Sequence, residues 1–429
     1  MIRVIIISYF FPPCNLTASQ RVFSWAKYLN QFGIYPTIIT RKWEKEISQL
    51  SDVSKSTSEG ILYEETDAYE VYYLPYKSNF RDKLLLKSEH KHKIFRRFLT
   101  FCELLLQLWF TKIVPFNNIY FFAEKILQEN PSKFSGIIIS GNPFIQFKFG
   151  YLLSKRFKIK WVADYRDAWT TSEINFINKN KIFSVLNSLE RYFEKKWVST
   201  ASLVTASSSE IAEKISTLTH VQSIPIFNGF DHEELEKVVV NSIFEKFTIT
   251  YVGTLYDGQR IELFCDAYKQ FIDLHPSANI QLLFPGLSFY VSQSERIDRL
   301  LENYVNYYQT TTRIPRAEVL EIEKKSHLLL HVAWDLNEGI ISSKIYEYIG
   351  SGTPVLVCPG DKGAIDSIVL ASQSGVCLNH VSEIVEYLSQ MYTDFQNGTA
   401  IQQNFNSFQF SRYVQTENLA GKLITAFKH

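Results

Sequence analysis

The sequence lacks several features that would settle its class at once. It has no charge excess: 45 basic and 44 acidic residues leave a formal charge of +1 over 429 positions. So balanced a chain projects no field over its whole surface. Nucleic acid is therefore not an expected partner, and any charged surface it meets must be matched locally. It has no cysteine framework. Cys14, Cys102, Cys265, Cys358 and Cys377 are odd in number and scattered, in neither zinc-ligand nor disulfide spacing, which fits a reducing cytoplasm. No apolar run approaches the ~18 residues needed to span a bilayer. Val4–Phe11 is apolar, but Pro12-Pro13 follows it with no small-residue cleavage site. It reads as a buried first strand rather than a leader. Familiar catalytic fingerprints are missing too. There is no G-x-G-x-x-G, no G-x-x-x-x-G-K-[ST] and no G-x-S-x-G, and the histidines show no H-E-x-x-H spacing. A nicotinamide fingerprint, a P-loop, a serine-hydrolase elbow and a protein-built metal site are accordingly not expected.

What is present is an alternation of strands and helices. The chain is longer than the roughly 250–300 residues at which a single core stops growing, and 46% of it is apolar, so two domains are expected. Val4-Ile5-Ile6-Ile7 is a continuous β-branched run of the kind buried on both faces of a parallel sheet. A helical pattern through Val22, Trp25, Ala26 and Leu29 follows, then Pro36–Thr40 as a second strand. That is a βαβ unit. Gly136–Ser140, Lys160–Asp164, Ser202–Ala206 and Ser223–Phe227 continue the first series. Phe247–Val252, Ile280–Phe284, His327–Ala333, Pro354–Cys358 and Gly375–Leu378 form a second. The fold class is α/β with two Rossmann-like domains. Residues 1–228 are expected to form the first and 229–412 the second, with a last helix over 413–429 packing back on the first.

One stretch interrupts the alternation. Residues 77–112 carry nine basic side chains against Asp82, Glu89 and Glu103, and Ile94, Phe98, Phe101, Leu105 and Leu108 fall at helical spacing. A basic amphipathic insertion of this kind suits an anionic membrane surface. The plainer reading, a helix pair whose apolar face packs on the first domain, stands beside it.

Open α/β sheets bind ligands beyond the carboxyl ends of their strands, and three polar clusters sit there. In Ser342-Ser343-Lys344-Ile345-Tyr346-Glu347 a polar loop runs into a helix N-terminus, which attracts phosphate, and Lys344 adds a full charge. Glu347, one turn on, suits ribose hydroxyls. The bland reading is a capped helix with a surface Lys and Glu. In Gly253-Thr254-Leu255-Tyr256-Asp257-Gly258-Gln259-Arg260 the glycines allow close backbone approach, and Arg260 could grip a diphosphate. The bland reading is a turn with a surface Arg. In Asp164-Tyr165-Arg166-Asp167-Ala168-Trp169, Asp167 could orient or deprotonate an acceptor hydroxyl while Arg166 steadies phosphate charge. The bland reading is a buried Arg–Asp pair.

Taken together, the clusters resemble the retaining GT-B glycosyltransferases of family 4, common in bacterial surface-polysaccharide pathways. Ser8-Tyr9-Phe10-Phe11-Pro12-Pro13, with Ala18-Ser19-Gln20-Arg21 after it, looks like that family's first strand and loop. Asp164–Trp169 is similar to its D-x-R-D-x-W segment, and Phe227-Asn228-Gly229-Phe230-Asp231 to its interdomain joint. Tyr251–Tyr256 resembles the start of its donor domain, and Lys344–Pro354 its K-x-x-E-Y-x-x-x-G-x-P helix. The resemblance spans nearly the whole chain. It implies two domains facing across a cleft and transfer of a hexosyl or related group from a nucleotide-diphosphate sugar, with retention, to a glycan or lipid-linked acceptor. Gly253, Thr254, Arg260, Ser343, Lys344 and Glu347 would bind the donor. Arg166, Asp167 and Glu338 would serve catalysis, and Asn15, Arg21 and Trp169 would lie on the acceptor side. Arg260 and Lys344 would replace a divalent metal, so no cofactor is expected. The enzyme would act in the cytoplasm, peripheral to the inner face of the membrane.

The chain departs from that pattern in places. The first loop reads Cys14-Asn15-Leu16-Thr17-Ala18 where the family often has paired glycines. Glu338 stands one residue before the place of the family's first glutamate, which is Gly339 here, and Arg166 stands where many members have His. These departures keep alive a non-catalytic GT-B-like scaffold or partner-binding subunit and, less so, a sugar-phosphate epimerase.

Overall fold

The computed structural model describes residues 1–47, 49–88, 91–172, 181–334, 341–399 and 406–428. The chain divides into two compact units, Met1–Phe227 with Gln415–His429 and Asn228–Val414.

The first unit is built on an eight-stranded sheet. Its strands are β1 (Ile2–Ser8), β2 (Ile34–Arg41), β3 (Leu62–Glu65), β4 (Glu70–Leu74), β5 (Gly136–Gly141), β6 (Lys160–Tyr165), β7 (Leu203–Ala206) and β8 (Ser223–Pro225). They lie in the order β3-β4-β2-β1-β5-β6-β7-β8. All neighbours run parallel except β3, which pairs antiparallel with β4 at the edge. The β-branched run of β1 is central, with Val4 opposite Pro36 on one side and Gly136 on the other. Its side chains feed cores on both faces: Ile5 and Ile7 on one, Val4 and Ile6 on the other. That is why the strand reads as uninterrupted hydrophobicity. The edge hairpin was not legible in the sequence because β3 is exposed along its whole length and carries no burial pattern.

The helix Arg412–Lys428 ends in this unit. Leu419, Ala420, Leu423 and Phe427 join the core that holds Val4, Ile6 and Ile138. The Phe427 ring lies against the Cα of Gly136, in the space any β-carbon there would fill. Lys160 Nζ donates to the Ala426 carbonyl at 3.2 Å.

Among the described residues, the second unit holds six parallel strands: β9 (Phe247–Thr250), β10 (Ile280–Phe284), β11 (Tyr308–Thr310), β12 (Leu328–His331), β13 (Val355–Val357) and β14 (Gly375–Cys377). Their order, β11-β10-β9-β12-β13-β14, is the doubly wound one. The direction of winding reverses between β9 and β12, which opens a crevice at their carboxyl ends. The helices Glu262–Leu274 and Val381–Gln396 cover this sheet through Phe264, Phe271, Leu388 and Tyr392.

Candidate functional site

The residues the sequence placed in the donor cluster lie at or beside the β9/β12 reversal, while Glu338, expected in catalysis, falls outside the described residues. The turn after β9 passes through Gly253 at φ +77° and that after β10 through Gly286 at φ +87°, a region that favours glycine. Gly253 N donates to the Pro285 carbonyl at 2.8 Å, which ties the two turns together. Gln259 staples the rest of the loop: its Nε2 donates to the Val332 carbonyl beyond β12 at 2.6 Å, and its Oε1 accepts from Tyr256 N at 3.1 Å. Arg260, next in the chain, is exposed.

The helix Ser343–Ser351 begins at the same end. Ser342 caps it, accepting from Lys344 N at 3.4 Å. The Lys344 side chain folds back under the β9 loop. Its Nζ donates to the Thr254 carbonyl at 2.7 Å and to Tyr251 Oη at 3.2 Å, and sits 4.4 Å from the centre of the Tyr251 ring. Burial pulls the ammonium down from its ordinary 10.5 to about 7, against the opposing pull of Glu347 and Glu323. Thr254 thus enters the cluster through its carbonyl, and Ser343 as the first residue of the helix. Tyr348, one turn beyond Lys344, accepts Val252 N on its hydroxyl at 2.8 Å and fixes the other side of the loop.

Glu347 has a partner that sequence spacing did not reveal. Arg316, first residue of the helix Arg316–Lys325, donates NH1 to Glu347 Oε2 at 2.6 Å. Its Nε and NH2 grip both oxygens of Glu234 at 3.0 Å each. On the same helix Glu323 is fully buried, and neither of its carboxyl oxygens has a hydrogen-bond partner among the described residues. Burial, reinforced by Glu347, holds its carboxyl well above the usual range. No sequence signal marks Arg316 or Glu323. Their helix joins two strands as any crossover does, and only the tertiary packing turns it toward Glu347.

In the first unit, Asp164, next to last in β6, has no exposed surface. It accepts Arg21 NH2 at 2.7 Å, Arg21 Nε at 3.1 Å, Ser140 Oγ at 2.8 Å and Thr205 Oγ1 at 2.7 Å. Arg21 NH1 donates to the Ile226 carbonyl at 2.6 Å. Arg21, expected on the acceptor side, is therefore placed inside the unit, where its charge answers Asp164. The buried Arg–Asp pair weighed for the Asp164 segment exists, but its cation comes from the first helix. Arg166 turns both Nε and NH2 onto Asp167 Oδ2, at 3.0 and 2.8 Å, and the Asp167 carboxylate is largely exposed. Asn15 braces the segment after β2, accepting Ile47 N at 3.0 Å.

Trp169 is buried, stacked on Phe144 with ring centres 5.4 Å apart. Both line a cavity of about 330 Å³ at the carboxyl ends of β1 and β5, along with Phe10, Arg81, Glu103 and Glu190. Asn15, Arg21, Arg166 and Asp167 are not among its lining residues. Glu190 has burial as its main perturbation, which lifts its carboxyl to about 7 against a hydrogen bond from Trp169. It lies on the helix Lys181–Val198, whose sequence carries no motif. Among the described residues, no cluster of His, Cys, Asp and Glu could hold a metal ion.

No family model matches the chain, and no curated protein matches it in sequence. Solved structures do match along its length. Sucrose-phosphate synthase from Thermosynechococcus elongatus is 13% identical with a TM-score of 0.61, covering 100% of both chains. A glycosyltransferase from Rickettsia africae is 12% identical with a TM-score of 0.57, covering 100% of this chain and 99% of its own. Anabaena HepE is 12% identical with a TM-score of 0.56, covering 99% of this chain and 100% of its own. At such identities the likeness is one of fold, and the fold it shows, two parallel-sheet α/β domains shared with these proteins, is GT-B.

Proposed function

We propose that the protein is a nucleotide-sugar-dependent glycosyltransferase that retains anomeric configuration, as its resemblance to family 4 implies. It would move a hexosyl or related group to a hydroxyl of a glycan or lipid-linked acceptor in surface-polysaccharide synthesis. The cytoplasm, at the inner face of the membrane, is the proposed place of action. The observation that carries this reading is the pairing of Lys344 with Glu347 on one helix N-terminus, at the β9/β12 reversal beneath the Gly253 turn. Relatives in fold support it from outside: HepE has been solved with UDP and with UDP-glucose.

In this reading the donor's diphosphate lies on the first-turn amides of the Ser343–Ser351 helix, and Lys344 meets it with charge. As the bond from the anomeric carbon to the diphosphate oxygen breaks, negative charge grows on the leaving group. Lys344 and the exposed Arg260 stabilise it without a metal. Arg316 directs Glu347 by holding Oε2, so that the carboxylate meets the ribose hydroxyls in a set orientation. Asp167, Arg166 and Glu338 are the proposed catalytic group. Asn15 and Trp169 are proposed on the acceptor side, and the cavity under Trp169 offers an aromatic floor for a sugar ring or a lipid-proximal group.

Titration of the chain with UDP-, GDP- and ADP-sugars, followed by assay of donor hydrolysis, tests the proposal. We expect binding of at least one donor. Lys344→Ala should lower turnover on the order of a hundredfold, and Glu347→Ala should weaken donor binding roughly tenfold to a hundredfold, with the fold intact by circular dichroism. Binding of no donor would leave the non-catalytic scaffold as the better reading.

A further inference from the structure

The insertion over residues 77–112 is used by no step of that reaction, and its geometry is unusual. An amphipathic helix on a globular body normally hides its apolar stripe. Here the stripe divides: Phe101 and Leu105 of the helix Lys93–Gln107 are half-buried and Leu108 beyond it joins the core, but the first half of the helix is left outside. Ile94 is 84% exposed and Phe98 59%. Trp109 and Phe110 extend the exposed surface past the end of this helix, and Phe80 joins it from the preceding helix, its ring edge-on to Phe95 at 6.4 Å. Exposed apolar side chains gathered on one segment mark an interaction surface.

Its charge selects the partner. The segment carries nine basic residues against three acidic ones, and two of those acids turn inward. Asp82 is buried and accepts the Tyr76 hydroxyl at 2.6 Å, while Glu103 pairs with Arg81 at 3.1 Å. Lys83, Lys87, Lys91, Lys93 and Arg97 remain exposed around the apolar side chains. A second copy of the chain laid on this face would set cations against cations, which disfavours self-association. An anionic lipid surface satisfies both features at once. The surface is also anchored from within: buried Lys148 donates its Nζ to the Gln107 carbonyl at 2.8 Å.

We infer that this insertion docks the protein on an anionic bilayer. Its aromatic and aliphatic side chains enter the headgroup boundary, and its lysines and arginines rest on the lipid phosphates. The inward side of the same helix contributes Glu103, Leu104 and Gln107 to the 330 Å³ cavity beside Trp169. Docking thus brings the cavity to the lipid surface. The idea rests on the glycosyltransferase reading only in taking the cavity's ligand to be a lipid-linked acceptor.

The test is co-sedimentation of the full chain with vesicles of phosphatidylcholine alone and of phosphatidylcholine with phosphatidylglycerol, UDP binding being measured on the same samples. Binding to the anionic vesicles, lost in high salt, is expected. Lys93→Glu with Arg97→Glu should weaken it roughly tenfold or more. Ile94→Asp with Phe98→Asp should abolish it without lowering the melting temperature, because both side chains are exposed. UDP binding should be unaffected by either pair, since these residues lie in the other unit. Three results would overturn the inference: no preference for anionic vesicles, vesicle binding unchanged in both double variants, or a dimer in sedimentation that Phe98→Asp dissociates. Failure of UDP binding alone would sink the donor assignment and leave the docking surface standing.

Discussion

Lys344 shows how one residue's surroundings alter its chemistry. Its burial under the β9 loop leaves the ammonium titrating near 7 instead of 10.5. A bound diphosphate would favour the charged form. Above pH 7, donor binding should therefore take up a proton, and affinity should fall as pH rises. Below pH 7 the ammonium is already charged and the dependence should flatten. Calorimetry in buffers of different ionisation enthalpy measures the uptake directly. Lys344→Arg, always charged, should remove the pH dependence even if affinity drops. Arg316 makes a second prediction at this scale. Arg316→Ala frees Glu347 from its fixed direction and should raise the donor KM about tenfold, with kcat changed less. Arg316→Lys should rescue it only partly, because lysine cannot span Glu234 and Glu347 with a planar fork. An unchanged KM in both would show that Glu347 needs no such guide. In the first unit, Arg21→Ala leaves Asp164 buried without its cation and should cost about 3–5 kcal/mol of stability by urea unfolding.

The elements differ in how plainly their sequences announced them. β1 was legible because strands buried on both faces need unbroken hydrophobicity. The Ser343–Ser351 helix was legible because capping chemistry and the Gly352-Thr353-Pro354 stop are local. β3 was not, because an exposed edge strand has no buried face to pattern it. The last helix carries the prediction at this scale. Phe427 fills the space above Gly136, so Phe427→Ala should destabilise the first unit by about 3–5 kcal/mol. Gly136→Val should be similarly damaging, since a larger side chain meets the Phe427 ring. The measurement is a thermal melt of each variant. A melt unchanged by both would mean the C-terminal helix contributes nothing to the first core.

The molecule as a whole consists of two units with separate cores, and the donor cluster lies entirely in the second. Unfolding should accordingly depart from a single two-state transition. A bound donor nucleotide at a hundredfold excess over its Kd should add about 2.7 kcal/mol to the transition of the second unit and leave that of the first in place. Scanning calorimetry with and without nucleotide decides this, and equal shifts of both would place the nucleotide's contacts in both units. By itself, the sequence determined the α/β class and the central strands of both sheets, though not β3, β4 or β11, and put Gly253, Lys344 and Glu347 at strand ends and a helix start, because periodicity, capping and glycine turns are written over a few neighbouring residues. Only the tertiary structure decided that Arg316 grips Glu347, that Arg21 is buried on Asp164, that Glu190 titrates inside a cavity and that the insertion leaves Ile94, Phe95 and Phe98 exposed. Each of those depends on which distant segments meet, and burial and pairing of charge are properties of that meeting rather than of any local run of residues.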